Sequence, residues 1–488
     1  MFGTISSVPL GLPTNNRTNT VLAMKDFQSE SLSHDPIHGY IPFTSAVGLP
    51  EGEIAERELI DHPWIQRLRQ IHQLQTAWWV FPSAEHTRFQ HVLGSMHLAS
   101  RAVAALYDSL HETCPDVPSR GYVESLMRLA ALLHDVGHGP FGHFFDEHFL
   151  ADFGLNHEIL GGEIIRREFA DLLRRVRRNP TTRLADDETL DPEQIVFLIT
   201  RPKSGSADGP RWLHFLRSLF SGLYTVDNMD FVLRDAYMSG YSVRAFDIAR
   251  LLHYTMFTDR GLTIHERGLS ALVQFISVRA ELFRAIYFHR TVRAIDLELQ
   301  EVFRESKEHL FTGDPRENLA EYQRFTEWSL LIEVSHWLES ADPKLRELGQ
   351  RWHELFGRHL RWKMACERTV FFAPGEAERA SVLSNSASFE TALRQELPPA
   401  LKRLPLKVDT ARHVHRPGAH TPAAGQNFLY DPATGKIRSL DDRELFRRIA
   451  ISFRICRIYA LDHAHESELA AALDRLTGDA AADDATNM

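Results

Sequence analysis

The chain has 488 residues, 43% of them hydrophobic and 25% charged, with a formal net charge of −10. Those values suit a globular protein of several domains and argue against a chain that lives on nucleic-acid backbones, which is normally basic. Three cysteines without a C-x-x-C pair exclude a disulfide framework. With no signal-like N-terminus and no apolar run of membrane-spanning length, the cytoplasm is the expected compartment.

Residues 1–33, rich in Ser, Asn, Thr, Pro and Gly, are expected to form a flexible arm. Over 87–107, Phe89, Val92, Met96, Ala99, Val103 and Leu106 recur at three- and four-residue steps, the mark of a helix with one apolar face. Val123, Leu126, Ala130 and Leu133 repeat the pattern over 122–133, and Gly137, Gly139 and Pro140 end it. Further helices are expected at 213–223, 227–237, 270–302 and 321–356. Hairpins are expected at 254–266 and 428–440. A strand at 453–460 and a helix at 465–476 close a small α+β appendage. The stretch 411–426 reads as an exposed loop, and 478–488 as a disordered tail. The fold class is therefore mainly α, with short hairpins and a small C-terminal α+β region.

The chemistry concentrates in LLHDVGHGPFGHFFDEH, residues 132–148, where His134, His138, His143 and His148 fall within fifteen residues. Buried histidines are costly unless paired, so such a density points to a metal cluster rather than to core packing. His134 and Asp135 end an apolar helix but point about 100° apart, which makes two corners of a site. His91, in TRFQH, and Asp227, in VDNMDFVLRD, would supply the others from neighbouring helices. Two imidazoles and two carboxylates suit a divalent Mn, Fe, Mg, Zn or Ni ion with room for water. The Arg-rich run at 166–179 reads as a solvated helix face, with a nucleic-acid contact as the minority alternative.

Together, HDVGHGPFGH, TRFQH and VDNMD resemble the HD-domain deoxynucleoside triphosphate triphosphohydrolases, in the subgroup of the sterile-alpha-motif and HD-domain restriction factor. DPIHGYI (35–41), the stretch 64–91, NHE (156–158) and RAELFRAIYFHRTVRAID (279–296) extend the match from His34 to Phe303. No sterile-alpha-motif segment precedes it. The resemblance implies an HD phosphohydrolase core over 34–305, followed by a helical extension over 306–425 and the α+β region over 426–477. It implies hydrolysis of dNTPs to deoxynucleoside and inorganic triphosphate, for nucleotide-pool control or antiviral depletion, by a homo-oligomer. His143 would be the acid that protonates the leaving 5′ oxygen and Asp146 its orienting carboxylate. His138 and His157 would face phosphate or a second Mg. Arg88 and Arg279 would grip the triphosphate, and Gln73, Leu74, Asp235 and Tyr287 would surround the sugar. Asp61, Gln66 and Arg69, with Ser31 where the family has Lys, would mark a pocket for an activating nucleotide such as GTP or a dNTP. Two positions depart from the pattern: Asn228 and Phe231 stand where a phosphate-binding Lys and a Tyr are usual. That departure predicts weak dNTP binding, which Asn228→Lys together with Phe231→Tyr should repair. The rivals are an HD phosphodiesterase or nuclease, separable by its products, and a nucleotide-binding regulatory module, separable by its metal content.

Overall fold

The computed structural model describes residues 27–200, 209–372, 382–414, 428–440 and 452–478. The chain is mainly α. Its centre is the helix Arg120–Leu133, buried from Gly121 to its end and packed along the long helix Arg88–Thr113. Ser119 caps the start of the central helix by accepting from Tyr122 N at 3.2 Å. Its two buried charged side chains are paired in place, Glu124 with Ser100 and Arg128 with Glu56 at 2.5 and 2.8 Å. A third helix, Val226–Met238, packs on Arg88–Thr113. The last turn of the central helix and the first turns of the other two meet at one place, where the site lies.

Beyond that turn the chain approaches the helix His157–Ile164 closely. A Cβ at Gly137 would stand 2.1 Å from His157 O, so no side chain fits there. Phe141 and Gly142 follow with φ of 61° and 55°, and only then does the short helix His143–His148 begin.

Several elements differ from the sequence expectation. Residues 30–33 are not an arm: β1 (Glu30–Asp35) pairs antiparallel with β2 (Gly39–Thr44). The helix expected over 270–302 is two, Leu269–Leu282 and Arg290–Leu310. A π turn at Phe283–Tyr287 and a cap at His289 separate them. That expected over 321–356 is three, because Thr326 caps a new helix at Glu327–His336 and Asp342-Pro343 starts another at Pro343–Phe356.

The hairpins are β3 (Thr255–Thr258) with β4 (Gly261–His265), and, later in the chain, Phe428–Asp431 with Lys436–Ser439. The second joins the first, Phe428–Asp431 running parallel to β4, and so belongs to the core rather than to the appendage. The 306–425 region is not purely helical either. It holds two long strands, β5 (Lys363–Phe372) and β6 (Leu406–Val414), which flank the strand Ser452–Ala460. Most of the loop expected at 411–426 and of the tail at 478–488 lies outside the described residues. Among the described residues no helix is long and apolar enough to cross a membrane.

Candidate metal centre and substrate cavity

His91 occupies the first turn of its helix, His134 caps the central helix, and Asp227 stands in the first turn of Val226–Met238. His91 Nε2 lies 3.2 Å from His134 Nε2, 3.1 Å from Asp227 Oδ1 and 4.0 Å from Asp135 Oδ2. His134 Nε2 lies 3.3 Å from Asp135 Oδ1 and 3.7 Å from Asp227 Oδ1. Donor atoms of His91, His134 and Asp135 thus gather within 4.8 Å of one another, with Asp227 Oδ1 beside both imidazoles.

The far sides of His91, His134 and Asp135 are held. His91 Nδ1 meets Asp230 Oδ2 at 2.8 Å, His134 Nδ1 donates to Ala131 O at 2.7 Å, and Arg88 Nη1 donates to Asp135 Oδ2 at 2.7 Å. This fixes the tautomer that turns both Nε2 atoms inward, the usual outer support of a metal ligand. Asp230 is itself gripped by His38 at 2.7 Å and by Arg234 at 2.9 Å, and Arg234 also holds Asp35. Burial pulls the His91 imidazole down, but the carboxylates of Asp227 and Asp230 push it up to about 10. Burial likewise opposes ionisation of Asp135, yet His134 and Arg88 hold it well below the carboxylate range. The site concentrates negative charge around a point that asks for a cation, and its donor set fits a borderline divalent metal.

A second group adjoins it. Donor atoms of His138, His143, Asp146 and His157 lie within 4.8 Å of one another. Asp146 Oδ2 accepts from His157 Nδ1 at 2.5 Å and from His143 Nδ1 at 3.3 Å. His138 stacks on His157 at 3.8 Å, and its two buried ring nitrogens have no hydrogen-bond partner among the described residues. They stand 3.4 Å from Asp135 Oδ1 and 3.7 Å from Asp146 Oδ1 without hydrogen-bond alignment, so His138 bridges the two groups. Burial and His138 together lower His157 to about 4. The His143 side chain is 71% exposed.

Both groups open on one cavity of about 1130 Å³, whose wall includes Gln73, Leu74, Arg88, Phe231, Asp235 and Tyr287. Asp235 accepts from the Tyr287 hydroxyl and meets His86 Nε2 at 2.7 Å. Burial and the Asp235 carboxylate hold the Tyr287 phenol well above its ordinary value, so it stays a donor.

Three residues expected at the substrate do not line this cavity: His138, which is fully buried behind His157, Asn228 and Arg279. Asn228 is the third residue of a capping box: its Oδ1 accepts from Thr225 N at 2.6 Å, because the Thr225 hydroxyl takes the Asn228 N–H in return. Buried Arg279 donates from Nη1 to Leu223 O at 2.9 Å, tying down the loop before Asp227. Asn228→Lys alone is therefore expected to cost about 1 kcal/mol of stability, the scale of a helix cap, without improving binding. Phe231→Tyr alone should shift KM, since Phe231 is in the wall. Denaturant unfolding and steady-state kinetics of the two single variants check this.

Asp61, Gln66 and Arg69 form a surface group away from the cavity. Gln66 Nε2 donates to Ile60 O at 2.8 Å, Arg69 Nε donates to Gln66 Oε1 at 2.8 Å, and the Arg69 guanidinium lies 3.6 Å over Phe89. Asp61 pairs with Arg57 at 3.4 Å, and Ser31 sits in β1 opposite Phe43. The arginines at 166–178 bind this chain's own groups: Arg166 takes Glu193, Arg175 takes Gly52 O, and Arg178 takes Ser45 O.

Sequence reasoning assigned no role to Asp230, His38, His86 or Glu327. Asp230 supports the ligand His91 and His86 the cavity wall directly, and His38 acts through Asp230. Asp35 and His38 belong to the DPIHGYI segment, whose match to the family was the one available signal.

The family model described as HD domain matches residues 88–199. The chain is 28% identical over 338 residues to the uncharacterized protein YwfO of Bacillus subtilis, covering 66% of this chain and 70% of that protein. It is 26% identical over 409 residues to deoxynucleoside triphosphate triphosphohydrolase SAMHD1 of Bos taurus, covering 77% of this chain and 65% of that protein. The chain thus spans about two thirds of the length of these two curated relatives. A crystal structure of a hypothetical protein from Aquifex aeolicus superposes with a TM-score of 0.64 at 22% identity, over 91% of this chain and all of that one, which speaks for the fold alone.

Proposed function

We propose, from the premise that this chain is an HD-domain protein of the metal-dependent phosphohydrolase superfamily, that it hydrolyses dNTPs to deoxynucleoside and inorganic triphosphate. The observation that carries this reading is the convergence of His91, His134, Asp135 and Asp227 on the wall of a cavity that also holds the Asp235–Tyr287 pair and His143. A divalent ion held by those four side chains supplies Lewis acidity and makes hydroxide available near neutral pH.

The chain's own residues do the rest. The water oxygen bonds to the α-phosphorus, and the bond from that phosphorus to the 5′ oxygen breaks. The 5′ oxygen leaves with a proton from His143, whose Nδ1 is oriented by Asp146. Arg88, already on Asp135, faces the phosphates with a planar fork suited to their oxygens. Asp235 and Tyr287 suit a deoxyribose hydroxyl, and Gln73 and Leu74 close the sugar side. His157, in the cavity wall, would face phosphate oxygens or a second Mg, with buried His138 stacked behind it.

The test is product identification. Each dNTP, each NTP and single-stranded DNA is incubated with the protein and Mn²⁺, and inorganic triphosphate is sought by ³¹P NMR. Triphosphate from dNTPs supports the reading; nucleoside monophosphates or cut DNA would move it to the phosphodiesterase alternative. One observation favours that alternative: at about 1130 Å³ the cavity exceeds the ~300–1,000 Å³ of common ligand pockets, and it runs on to Arg304 and Lys407. The paired arginines at 166–178 weigh against a nucleic-acid track.

The surface group of Asp61, Gln66 and Arg69 supports an activator site for GTP or a dNTP between copies of the chain. Arg69 lies on Phe89, next to Arg88 of the cavity wall. Adding GTP is expected to raise dNTP turnover and the mean mass in sedimentation together, because linkage between sites is reciprocal. Unchanged rate and mass across all nucleotide mixtures would leave the group structural.

A further inference from the structure

The proposed function leaves the chain beyond residue 305 without a task. Yet one carboxylate from it reaches the middle of the catalytic half. Glu327, the first residue of its helix, is fully buried. Its Oε1 accepts from Phe141 N at 3.0 Å and from His72 N at 3.1 Å, and its Oε2 meets His72 Nδ1 at 2.5 Å.

Both partners are strategic. Phe141 is the first of the two consecutive residues at positive φ that deliver the chain to His143. A non-glycine residue in that conformation is strained and persists only where its surroundings hold it. At Gly142 a Cβ would come within 2.3 Å of Arg88 Nη2 and push that guanidinium aside. His72 bridges to Thr87, the residue that caps the helix bearing Arg88 and His91, and it precedes Gln73 in the cavity wall.

Neighbours of Glu327 reinforce the same loop. The Tyr322 hydroxyl donates to Gly137 O at 2.9 Å. Arg67 donates to His138 O at 2.7 Å and to Phe325 O at 2.9 Å, stitching the loop to residues 322–325. The segment 322–327 is therefore the back plate of the 137–143 loop.

We infer that Glu327 is a positioning residue for the leaving-group acid: by holding Phe141 N it fixes the left-handed turn from which His143 projects. The inference rests on His143 acting as that acid in the proposed function. Glu327 touches neither substrate nor metal ligand, so its effect must pass through the turn.

A double-mutant cycle tests this, with inorganic triphosphate release from dGTP measured for wild type, Glu327→Gln, His143→Ala and the double variant, beside metal content and melting temperature. Glu327→Gln keeps the volume and can leave its oxygen on Phe141 N and His72 N with its amide toward His72 Nδ1, but it replaces the charged acceptor on the turn by a weaker neutral one. It is expected to keep its metal, to hold KM within about twofold and to lose roughly tenfold or more in kcat. On the His143→Ala background the same change is expected to cost nothing further, because the acid it serves is gone. Full independent losses in the double variant, or wild-type kcat in Glu327→Gln, would overturn the inference. Glu327→Asp, which keeps the charge and withdraws it by one methylene, is the second variant and should show the same cycle if Glu327→Gln fails to fold. Should wild type release no triphosphate from any dNTP, the functional reading falls on its own. The cycle then runs on a dinucleotide, whose alkoxide leaving group also needs an acid, and decides Glu327 separately.

Discussion

His134→Ala and Asp227→Ala are each expected to strip the divalent metal and to take hydrolysis down to the background of the assay while the protein keeps its fold. Donor atoms of His91, His134 and Asp135 lie within 4.8 Å of one another, and Asp227 Oδ1 stands 3.1 and 3.7 Å from the two imidazoles. Removing His134 or Asp227 leaves an incomplete set, and the neighbouring carboxylate Asp230 is already engaged by His91, His38 and Arg234. Folding should survive. The Asp227 side chain is 37% exposed and its helix is capped by Thr225, while His134 gives up one hydrogen bond to Ala131 O. Asp230→Asn is the graded control. It disturbs the support of His91 rather than a ligand, and should cost about 10–100-fold in metal affinity or activity. Metal analysis by mass spectrometry with activity on the same samples checks all three. Wild-type metal and turnover in either alanine variant would dismantle the site.

His143→Ala is expected to keep metal and KM and to lose about 10²–10⁴ in kcat, the range for removal of a general acid. Its side chain is 71% exposed and its ring has one modest hydrogen bond, 3.3 Å to Asp146, so nothing structural depends on it. Asp146 remains held by His157 when His143 is gone. A p-nitrophenyl phosphodiester, whose leaving group needs no proton, should be cleaved nearly as well by the variant as by wild type. Equal losses on both substrates would take His143 out of the acid's role and place it in binding.

The sequence made the mainly α architecture and the two principal helices legible because their apolar periods are long and regular, as in Phe89, Val92, Met96 and Ala99. The cluster around His134 was legible because histidines are rare enough for four in fifteen residues to stand out. What was hidden had no local signature. Asp230 and Glu327 are single carboxylates, and their partners His91, His38, His72 and Phe141 arrive only through folding. Asn228 looked like a substrate position from its place after Asp227, yet the same spacing also makes it the third residue after a Thr cap, and the backbone claimed it. In the 363–460 sheet the strand at 453–460 was legible, but its neighbours β5 and β6 were masked by charge. Arg457 lies buried between Glu367 and Asp409, and Asp409 also binds Arg293, so the alternation of apolar and polar residues is broken by paired ions. The break at Phe283–Tyr287 was invisible because a π turn inserts one residue without changing the apolar character of the helix.

The parallel pairing of Phe428–Asp431 with β4 sets an order on the birth of the protein. As the chain leaves the ribosome, the metal ligands and the β3–β4 hairpin emerge early, but one side of β4 must wait for a partner made much later. Until then its amides and carbonyls form a bare edge, the kind of surface on which other chains add. Pairings so distant in sequence also form slowly. A ribosome that stalls or a message that stops before Phe428 would thus release a chain already carrying every metal ligand yet prone to clump, and chaperones that shield nascent chains have the most to do in that interval.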